Sequence, residues 1–276
     1  MTQPRIIDCD TAATLMEPLT DLVVQAGVAI LGVNRKAMKV QGKLDGSPVT
    51  EADLAADRII ADGLARLVPD VPSLSEERVH QATPPFRGSF FLIDPLDGTK
   101  EFVNGRGEFT VNLALVTNGT PLLGIIGAPA IGWLWRGIVG RGAERLRLSE
   151  TGKGRPEAIR SRPLPEPGKP WVAAVSRSHG DPRTEAFIDS RPGAVREKLG
   201  SAVKFGAIAE GRADIYPRLG PTSEWDVAAG HAVVAAAGGK VTDETGGPLR
   251  FGEKTEGFIV PAFIAWGDPK AANAPH

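Results

Sequence analysis

The spacing of apolar residues predicts two helices in the first quarter of the chain. Between Thr11 and Gly32 apolar residues recur every three or four positions, which is typical of a helix that buries one face, and the glycine can end it. A second helix is expected from Glu51 to about Leu67, because Thr50 can cap its start and two prolines follow its end. Between these helices, the Gly, Asp, Ser and Pro residues of Gly42–Pro48 indicate a turn.

Strand patterns dominate the next part of the chain. A β-favouring run from Phe90 to Ile93 leads into a turn at Asp94-Pro95, and Phe109–Val116 alternates well enough to form a strand closed by Asn118-Gly119. Farther on, strand and helix signals alternate. The sequence predicts a strand at Val172–Val175, a helix near Asp181–Asp189, and an alanine-rich helix at Trp225–Ala237 that ends at two glycines.

Composition narrows the class of protein. The 276 residues carry 32 Lys and Arg against 33 Asp and Glu, so the formal net charge is -1, and 42% of the residues are hydrophobic. These values are ordinary for a soluble globular protein, and without a basic excess we expect no nucleic-acid partner. The length suits one large domain or two lobes with a cleft between them.

The features that bear on the compartment favour the cytoplasm. Cys9 is the only cysteine, so an intramolecular disulfide and a cysteine-based zinc cluster are both excluded. The first residues are acidic where a secretory signal would be basic and then apolar. The most apolar stretch, Pro121–Trp135, is short for a membrane span and is interrupted by Gly and Pro. We expect no transmembrane segment, while the sequence leaves peripheral membrane association and the oligomeric state open.

A basic segment precedes a proline-rich one in the middle of the chain. From Arg136 to Arg162 there are eight Lys or Arg and three Asp or Glu, and Pro163–Pro170 follows. We interpret this region as an exposed connection between lobes, formed by a solvated surface hairpin and a linker, and the alternative is a patch that steers phosphates. The predicted lobes are residues 1–160 and 161–276.

The most informative segment is Asp94-Pro95-Leu96-Asp97-Gly98-Thr99. Its two aspartates stand three residues apart on either side of a turn, so their carboxylates can converge on one point. Converging carboxylates repel each other, which raises their pKa values, and a hard divalent cation relieves the repulsion. Gly98 allows the chain to turn back, and the Leu96 carbonyl would face the same side. The segment predicts a magnesium site, although an isolated Asp-x-x-Asp-Gly is also compatible with a surface turn.

Three further acids lie beside an apolar run or in the first turn of a predicted helix. Glu76 follows an apolar run, Asp53 lies in the first turn of a predicted helix, and Asp226 opens the alanine-rich helix, where the helix dipole favours a carboxylate. The structural alternatives are a solvated pair for Glu76 and Glu77, and helix capping for Asp53 and Asp226. The spacing of the acids does not match an EF-hand, and Walker, His-Glu-x-x-His and Gly-x-Ser-x-Gly motifs are missing.

Three spaced motifs carry a resemblance to a known family. They are Ser75-Glu76-Glu77, the Asp94–Thr99 segment with Phe102 behind it, and Trp225-Asp226-Val227-Ala228-Ala229-Gly230. Together they resemble the inositol monophosphatase superfamily of magnesium-dependent, lithium-sensitive phosphatases. The likeness spans about residues 15 to 265. It implies a mixed α and β fold, a layered αβαβα sandwich with two lobes, in which the C-terminal lobe supplies Asp226 and the nucleotide side.

Additional stretches are most similar to the CysQ-type 3'(2'),5'-bisphosphate nucleotidases of that superfamily. They are Ser47–Asp53, Ser176–His179, Ala209–Gly211 and Tyr216–Pro221. The resemblance implies hydrolysis of the 3'-phosphate of adenosine 3',5'-bisphosphate to AMP in sulfate assimilation, with the phosphosulfate analogue as a second substrate. The alternative is an inositol or sugar monophosphatase, which shares the metal motifs. A non-enzymatic metal or nucleotide sensor would predict a missing ligand, and every ligand position is filled.

The resemblance also implies the ligands of two or three Mg²⁺ ions. Glu76, Asp94 and the Leu96 carbonyl would hold one ion, and Asp94, Asp97 and Asp226 would hold a second.

Catalytic and phosphate-binding roles are implied nearby. Asp53 would help to hold or orient the water around a third, weaker ion, and Asp53 or Glu76 would assist in forming the attacking hydroxide. Thr99 would hydrogen-bond the nucleophilic water, and the backbone of Asp97, Gly98 and Thr99 would receive phosphate oxygens.

The nucleotide contacts that the resemblance implies are His179, Ser201, Lys204 and Arg218. The family's usual Gly-Ser-Ser-Leu-Lys-Phe is Gly200–Phe205 here, with Ala202 in place of one serine, so the contact of that hydroxyl is in doubt. Without the family, Lys204 would be read as a snorkelling surface lysine, His179 as a loop or capping histidine and Arg218 as a salt-bridge partner.

Overall fold

The computed structural model describes residues 4–35, 40–42, 48–82, 84–149, 152–177, 180–191, 193–253 and 257–273. Helices in these ranges are α1 Cys9–Gly32, α2 Glu51–Leu67, α3 Thr99–Val103, α4 Pro182–Asp189, α5 Val203–Ala209 and α6 Glu224–Ala236, with 3₁₀ helices at Glu76–Gln81 and Pro269–Asn273. The structure confirms the four helices that the sequence predicts, at Thr11–Gly32, Glu51–Leu67, Asp181–Asp189 and Trp225–Ala237. Each observed end lies within two residues of the predicted one.

Two sheets form the framework. The larger has the order β10-β8-β7-β6-β5-β4-β3 with β9 paired to β8, and it is antiparallel except between β3 and β4. Its strands are β3 Ser73–Ser75, β4 Ser89–Asp97, β5 Thr110–Thr117, β6 Thr120–Ala128, β7 Trp133–Ile138, β8 Gly142–Ser149, β9 Gly152–Lys153 and β10 Glu157–Ile159. A separate pair precedes it, formed by β1 Val40–Gly42 and β2 Pro48–Thr50.

The second sheet is mixed and has the order β12-β11-β13-β17-β15. Its strands are β11 Val172–Ser176, β12 Val195–Leu199, β13 Ile215–Arg218, β15 Lys240–Thr242 and β17 Phe263–Trp266. A short antiparallel pair accompanies it, formed by β14 Thr222–Ser223 and β16 Ile259–Val260. The division of the chain into lobes at residue 160 stays a prediction; the described strands of the larger sheet end at Ile159.

Alternating side chains of β4 show how the layers are built. Phe91 and Ile93 belong to the core that contains α1 and α2, whereas Phe90 and Leu92 belong to the core that contains α5 and α6. The second sheet packs on the far side of α5 and α6, and its outer face is covered by α4, where Ile188 is buried. Because a sheet between two helical layers buries both faces, the strands read as continuous apolar runs. The predicted αβαβα order of layers is confirmed.

The turn predicted at Asp94-Pro95 is wrong. β4 continues to Asp97, with Asp94 opposite Asn112 and Asp97 opposite Thr110 on β5. The register shifts between the two aspartates, and such an irregularity accepts a proline that has no N–H to donate. The turn predicted at Gly42–Pro48 lies mostly outside the described residues.

The hairpin and linker expected in the basic segment are present, since β7 and β8 form an antiparallel hairpin and residues 163–170 are mostly exposed and contain no helix or strand. The expectation that the hairpin is solvated is wrong for β7, whose residues from Leu134 to Ile138 are buried. The Arg136 side chain is 4% exposed. Its guanidinium lies 2.7 Å from Glu17 and 3.0 Å from Glu144 and donates to Thr20 at 3.1 Å. A count of charges missed this arrangement because a planar guanidinium can be buried when carboxylates accept its hydrogen bonds.

Helix α1 is the one described element that is long and apolar enough to cross a membrane, by length and composition alone. Half of its most apolar window is buried inside the protein. Leu19, Val23 and Ile30 are at most 1% exposed and belong to the core shared with α2 and the larger sheet. A core helix passes the same test, and the packing of α1 is that of a core helix.

Acid sensitivity is expected from His231 on α6. Its Nδ1 atom is buried and has no hydrogen-bond partner among the described residues, its ring meets Phe251 edge-on at 5.8 Å, and burial lowers its pKa to about 4. The unfolded chain, with an ordinary histidine pKa of about 6.5, binds the proton first, so the stability that neutral His231 contributes is complete above that pH and is lost as the pH falls towards 4.

We predict that His231→Gln removes about 3 kcal/mol of the acid-induced loss of unfolding free energy between pH 7.5 and 4. Urea unfolding followed at several pH values measures it. The exposed His80→Gln is the matched control and should keep the wild-type slope. An unchanged slope in His231→Gln would contradict the prediction.

Candidate active site

Asp94 and Asp97 lie at the C-terminal end of β4, on either side of its irregular pairing with β5. Asp94 is 1% exposed, and its Oδ1 accepts a hydrogen bond from the Leu96 amide at 3.0 Å. Gly98 follows with φ 87°, a left-handed conformation that favours glycine, and α3 begins at Thr99. The reversal of the chain therefore comes one residue after the second aspartate.

Asp53 reaches the same region from the first turn of α2. Its Oδ2 accepts from the Thr50 amide at 2.8 Å and from the Thr50 hydroxyl at 2.6 Å, so helix capping is one of its roles. Its Oδ1 accepts from the Thr99 hydroxyl at 3.0 Å, and that hydroxyl also lies 3.1 Å from the Leu96 carbonyl. Burial raises the pKa of Asp53. One carboxylate thus joins the start of α2 to the end of β4.

Asp226 enters from the first turn of α6 in the same kind of arrangement. Its Oδ2 accepts from the Ser223 amide at 3.2 Å and from the Thr222 hydroxyl. Capping is again present, as the structural alternative predicted. The helix start fixes the carboxylate at the edge of a cavity that it shares with Glu76 and Asp97.

The acids act on one another electrostatically. Burial raises the pKa of Asp94 well above its ordinary value, and neighbouring carboxylates raise it further. Those carboxylates belong, in decreasing order of effect, to Glu76, Asp97, Asp226 and Asp53. Across the described part of the chain, no three His, Cys, Asp or Glu side chains already form a metal-binding cluster. The acids that the sequence singled out therefore surround a common space without a finished coordination sphere.

The pKa of Asp97 is affected by both acidic and basic neighbours. Burial and then the Asp226 charge raise its pKa to about 6, while Lys204 and Arg218 oppose the rise. Its Oδ2 lies 3.4 Å from the Thr110 hydroxyl and 3.5 Å from the Asn112 amide nitrogen. Sequence reasoning missed both neighbours, although the alternation of β5 places residues 110 and 112 on one face of the sheet.

A cavity of about 210 Å³ adjoins these carboxylates. Its acidic lining comes from Glu76, Asp97, Glu101 and Asp226, and its other polar lining includes Thr99, Ser176, Ser201, Lys204 and Arg218. The rings of Phe205, Tyr216 and Phe263 also line it. These rings pack with centroid distances of 4.9 to 5.4 Å, which makes this part of the lining rigid and apolar.

Lys204 on α5 is a buried cation in this cavity, 3% exposed. Its Nζ donates to the Ser201 carbonyl at 2.6 Å and lies 5.1 Å from the centre of the Tyr216 ring. Burial lowers its pKa to about 8, and the Asp97 charge opposes the drop. Arg218, at the end of β13, donates to the Pro221 carbonyl at 3.2 Å. Lys204 and Arg218, which come from the side of the second sheet, thus line the same cavity as the acids.

Ser201 contacts the Asp97–Thr99 segment directly. Its backbone has φ 46°, and its hydroxyl donates to the Asp97 carbonyl at 2.9 Å. A Cβ on Gly98 would lie 2.2 Å from that hydroxyl oxygen, so only glycine allows the approach. Ala202 is 2% exposed, and its amide lies 3.4 Å from the Thr110 hydroxyl.

Glu108 is a third residue that sequence reasoning missed. It accepts from Arg177 at 3.0 and 2.9 Å in a bidentate pair and from the Gly200 amide at 2.8 Å, so it fixes the approach to Ser201. No sequence motif identifies Glu108, because its partners Arg177 and Gly200 lie far along the chain. His179 lies outside the described residues, and its role stays a prediction.

The chain is similar to known proteins over most of its length. Residues 12–274 match the Inositol monophosphatase family. The chain is 40% identical over 258 residues to the 3'(2'),5'-bisphosphate nucleotidase CysQ of Escherichia coli strain K12, covering 90% of this chain and 98% of the relative. The CysQ nucleotidase of Salmonella typhimurium is 38% identical over the same length, with the same coverage.

Solved structures give the same result. CysQ from Bacteroides thetaiotaomicron superimposes with a TM-score of 0.72 at 33% identity, covering 92% of this chain and 97% of the other. An inositol monophosphatase from Zymomonas mobilis gives a TM-score of 0.73 at 26% identity, with coverage of 94% and 96%. Sequence match, relatives and fold all agree, and this chain belongs to the inositol monophosphatase family.

Proposed function

We propose that this protein is a metal-dependent 3'(2'),5'-bisphosphate nucleotidase that hydrolyses the 3'-phosphate of adenosine 3',5'-bisphosphate, giving AMP and phosphate. The phosphosulfate analogue would be a second substrate, and the reaction would serve sulfate assimilation. The observation that carries the proposal is the pairing, in one cavity, of an acidic cluster with two cations, the buried Lys204 and the half-buried Arg218. The CysQ relatives support it.

The residues present suit magnesium. Carboxylate oxygens and a backbone carbonyl are the hard donors that this ion prefers, and the repulsion that raises the pKa of Asp94 is what a divalent cation relieves. Glu76, Asp94 and the Leu96 carbonyl would hold one ion; Asp94, Asp97 and Asp226 would hold another. When bound, Mg²⁺ would neutralise phosphate charge and lower the pKa of a water molecule. A third, weaker ion would lie near Asp53.

Thr99 is suited to orient the attacking water. Its hydroxyl proton is directed to Asp53 Oδ1 or to the Leu96 carbonyl, so the hydroxyl oxygen is left to accept a hydrogen bond from water. A water held in this way would lie close to a phosphate bound by the backbone of residues 97 to 99. Asp53 or Glu76 would assist by taking up the proton.

Lys204 and Arg218 would bind the second phosphate. A phosphate left without counter-charge in a partly apolar cavity costs several kcal/mol, and each cation offsets that cost by a charge-assisted hydrogen bond. Ser201 and His179 would contact the same nucleotide. An inositol or sugar monophosphatase, the alternative with the same acidic cluster, has no need of a second anion site.

Phosphate release on a panel of substrates tests the proposal. With Mg²⁺ present, adenosine 3',5'-bisphosphate should be hydrolysed with a kcat/KM about 100-fold or more above those of inositol 1-phosphate and fructose 1,6-bisphosphate. Inositol 1-phosphate has no second phosphate for Lys204 and Arg218, and fructose 1,6-bisphosphate has a second phosphate but lacks the nucleoside that sets its position. Lithium should inhibit the reaction. Equal rates on the three substrates would exclude the nucleotidase assignment, and a preference for inositol 1-phosphate would favour the alternative.

A further inference from the structure

A buried ionic contact connects α2 with the segment that carries Glu76. Asp57 lies one helical turn after Asp53 and is 8% exposed. Its Oδ1 accepts from the Ser75 hydroxyl at 2.6 Å, and its Oδ2 accepts from Arg78 Nε at 2.9 Å. Arg78 Nη2 lies 3.3 Å from Oδ1, so the arginine engages both oxygens. Asp57 lies inside α2 and not at its first residues, so these contacts do not cap the helix. Because Asp57 is buried, they are not those of a surface ion pair either.

The two partners of Asp57 lie on either side of Glu76. Ser75 is the last residue of β3, is fully buried, and caps the 3₁₀ helix through a 3.4 Å contact from the Glu77 amide. Arg78 lies within that helix, two residues beyond Glu76. A carboxylate that holds both neighbours limits the freedom of the backbone between them. Glu76 itself lines the active-site cavity and adds to the repulsion at Asp94.

Helix geometry links this contact to the rest of the site. Residues four apart lie on the same face of a helix, so Asp53 and Asp57 are presented together by one rigid element. Asp53 holds Thr99, while Asp57 holds the segment of Glu76. The distance between the carboxylates of Asp53 and Glu76 therefore depends on one turn of α2, the turn from Asp53 to Asp57.

We propose that Asp57, with Ser75 and Arg78, is a positioning residue that fixes Glu76 relative to Asp53 and thereby sets the affinity of the site for Mg²⁺. The inference rests on the proposed metal site. Asp57 has no contact with substrate in this role, and it acts only through the backbone on either side of Glu76. An ordinary structural ion pair would instead stabilise the fold without any specific effect on metal affinity.

Titration of the substrate-free protein with Mg²⁺ alone, followed by calorimetry, separates the two roles. Asp57→Asn keeps the shape of the side chain but weakens both contacts, and it should lower Mg²⁺ affinity by about 10- to 100-fold. Asp57→Glu, which can still pair with Arg78, should recover part of that loss. Arg78→Gln provides a second, more exposed route to the same effect and should also lower the affinity.

Two controls lie on the same helix. Asp62→Asn is exposed and should change neither affinity nor stability. Ile60→Val removes one buried methyl group of α2, so it should lower the urea midpoint while leaving Mg²⁺ affinity within about two-fold. At saturating Mg²⁺, the KM of Asp57→Asn for adenosine 3',5'-bisphosphate should stay within about three-fold of the wild type, because the nucleotide contacts are elsewhere.

The outcomes are distinct. Wild-type Mg²⁺ affinity in both Asp57→Asn and Arg78→Gln would overturn the inference, as would a loss no larger than that of Ile60→Val. In either case, if Asp94→Asn abolishes Mg²⁺ binding, the proposed metal site stands. If the wild type itself binds no Mg²⁺, or if Asp94→Asn binds it normally, the proposed function fails and the inference fails with it.

Discussion

Asp94→Asn should reduce phosphate release by about 10³-fold or more, because the proposal has Asp94 bind two metal ions at once. The fold should survive. Asparagine retains the Oδ1 acceptor that the Leu96 amide uses, and it removes one charge from a group of mutually repelling acids. In EDTA we therefore expect the urea midpoint of the variant to equal or exceed that of the wild type. Phosphate release at saturating Mg²⁺ and unfolding in EDTA measure the two effects.

The combination of lost activity and preserved stability is the informative result. Asp62→Asn, an exposed substitution of the same kind on α2, should leave both quantities unchanged. Retention of more than a tenth of wild-type activity in Asp94→Asn would overturn the assignment of the site. A large loss of stability in EDTA would contradict the repulsion that the burial of these acids implies.

The acidic half of the site could be predicted because its chemistry is local in sequence. Asp94, Leu96, Asp97 and Thr99 are contained in six residues, and any fold that keeps that segment compact brings them near one another. Asp226 lies far along the chain, and a helix start alone left its role open between capping and metal binding, so only the family resemblance joined it to this segment. What the pattern missed was the conformation between the aspartates, where a strand irregularity replaces the predicted turn. Both conformations bring the carboxylates together, so the functional prediction did not depend on the local one.

Residues that support the site without lining its cavity could not be predicted in the same way. Asp57 looks like any polar residue of an amphipathic helix, and its contacts with Ser75 and Arg78 span 18 and 21 positions. Glu108 and Gly200 are 92 positions apart. Such pairs are set by how α2, β3 and the second sheet pack, and hydrophobic periodicity carries no information about which polar side chains meet. Their types and spacing match no motif.

Charge counting failed for the same physical reason. Arg136 was grouped with its basic neighbours as solvated surface, but two glutamates and a threonine satisfy it within the fold. Lys204 was an equally ambiguous lysine on an apolar segment. Its burial beside Tyr216, with Asp97 close enough to affect its pKa, is a property of the packed sheets and not of the sequence around it.

Lys204→Met should raise the KM for adenosine 3',5'-bisphosphate by about 100-fold. Methionine keeps the unbranched stem beside the Tyr216 ring and removes the charge that the proposal assigns to the second phosphate. Adenosine 3'-monophosphate is the matched substrate, because it differs only in lacking that phosphate. Its kinetic constants should change by no more than about three-fold, a loss that reflects the Ser201 carbonyl left without its donor.

The difference between the two substrates is what assigns the role. Lys198→Met removes an exposed lysine of β12 and should leave both substrates at wild-type values. If Lys204→Met loses the same factor on both nucleotides, the lysine supports the structure of the Ser201 segment and does not bind the second phosphate. A steep loss confined to the bisphosphate would instead mean that this buried ammonium, already separated from water in the free protein, recognises the second anion and distinguishes a nucleotidase from a monophosphatase built on the same acids.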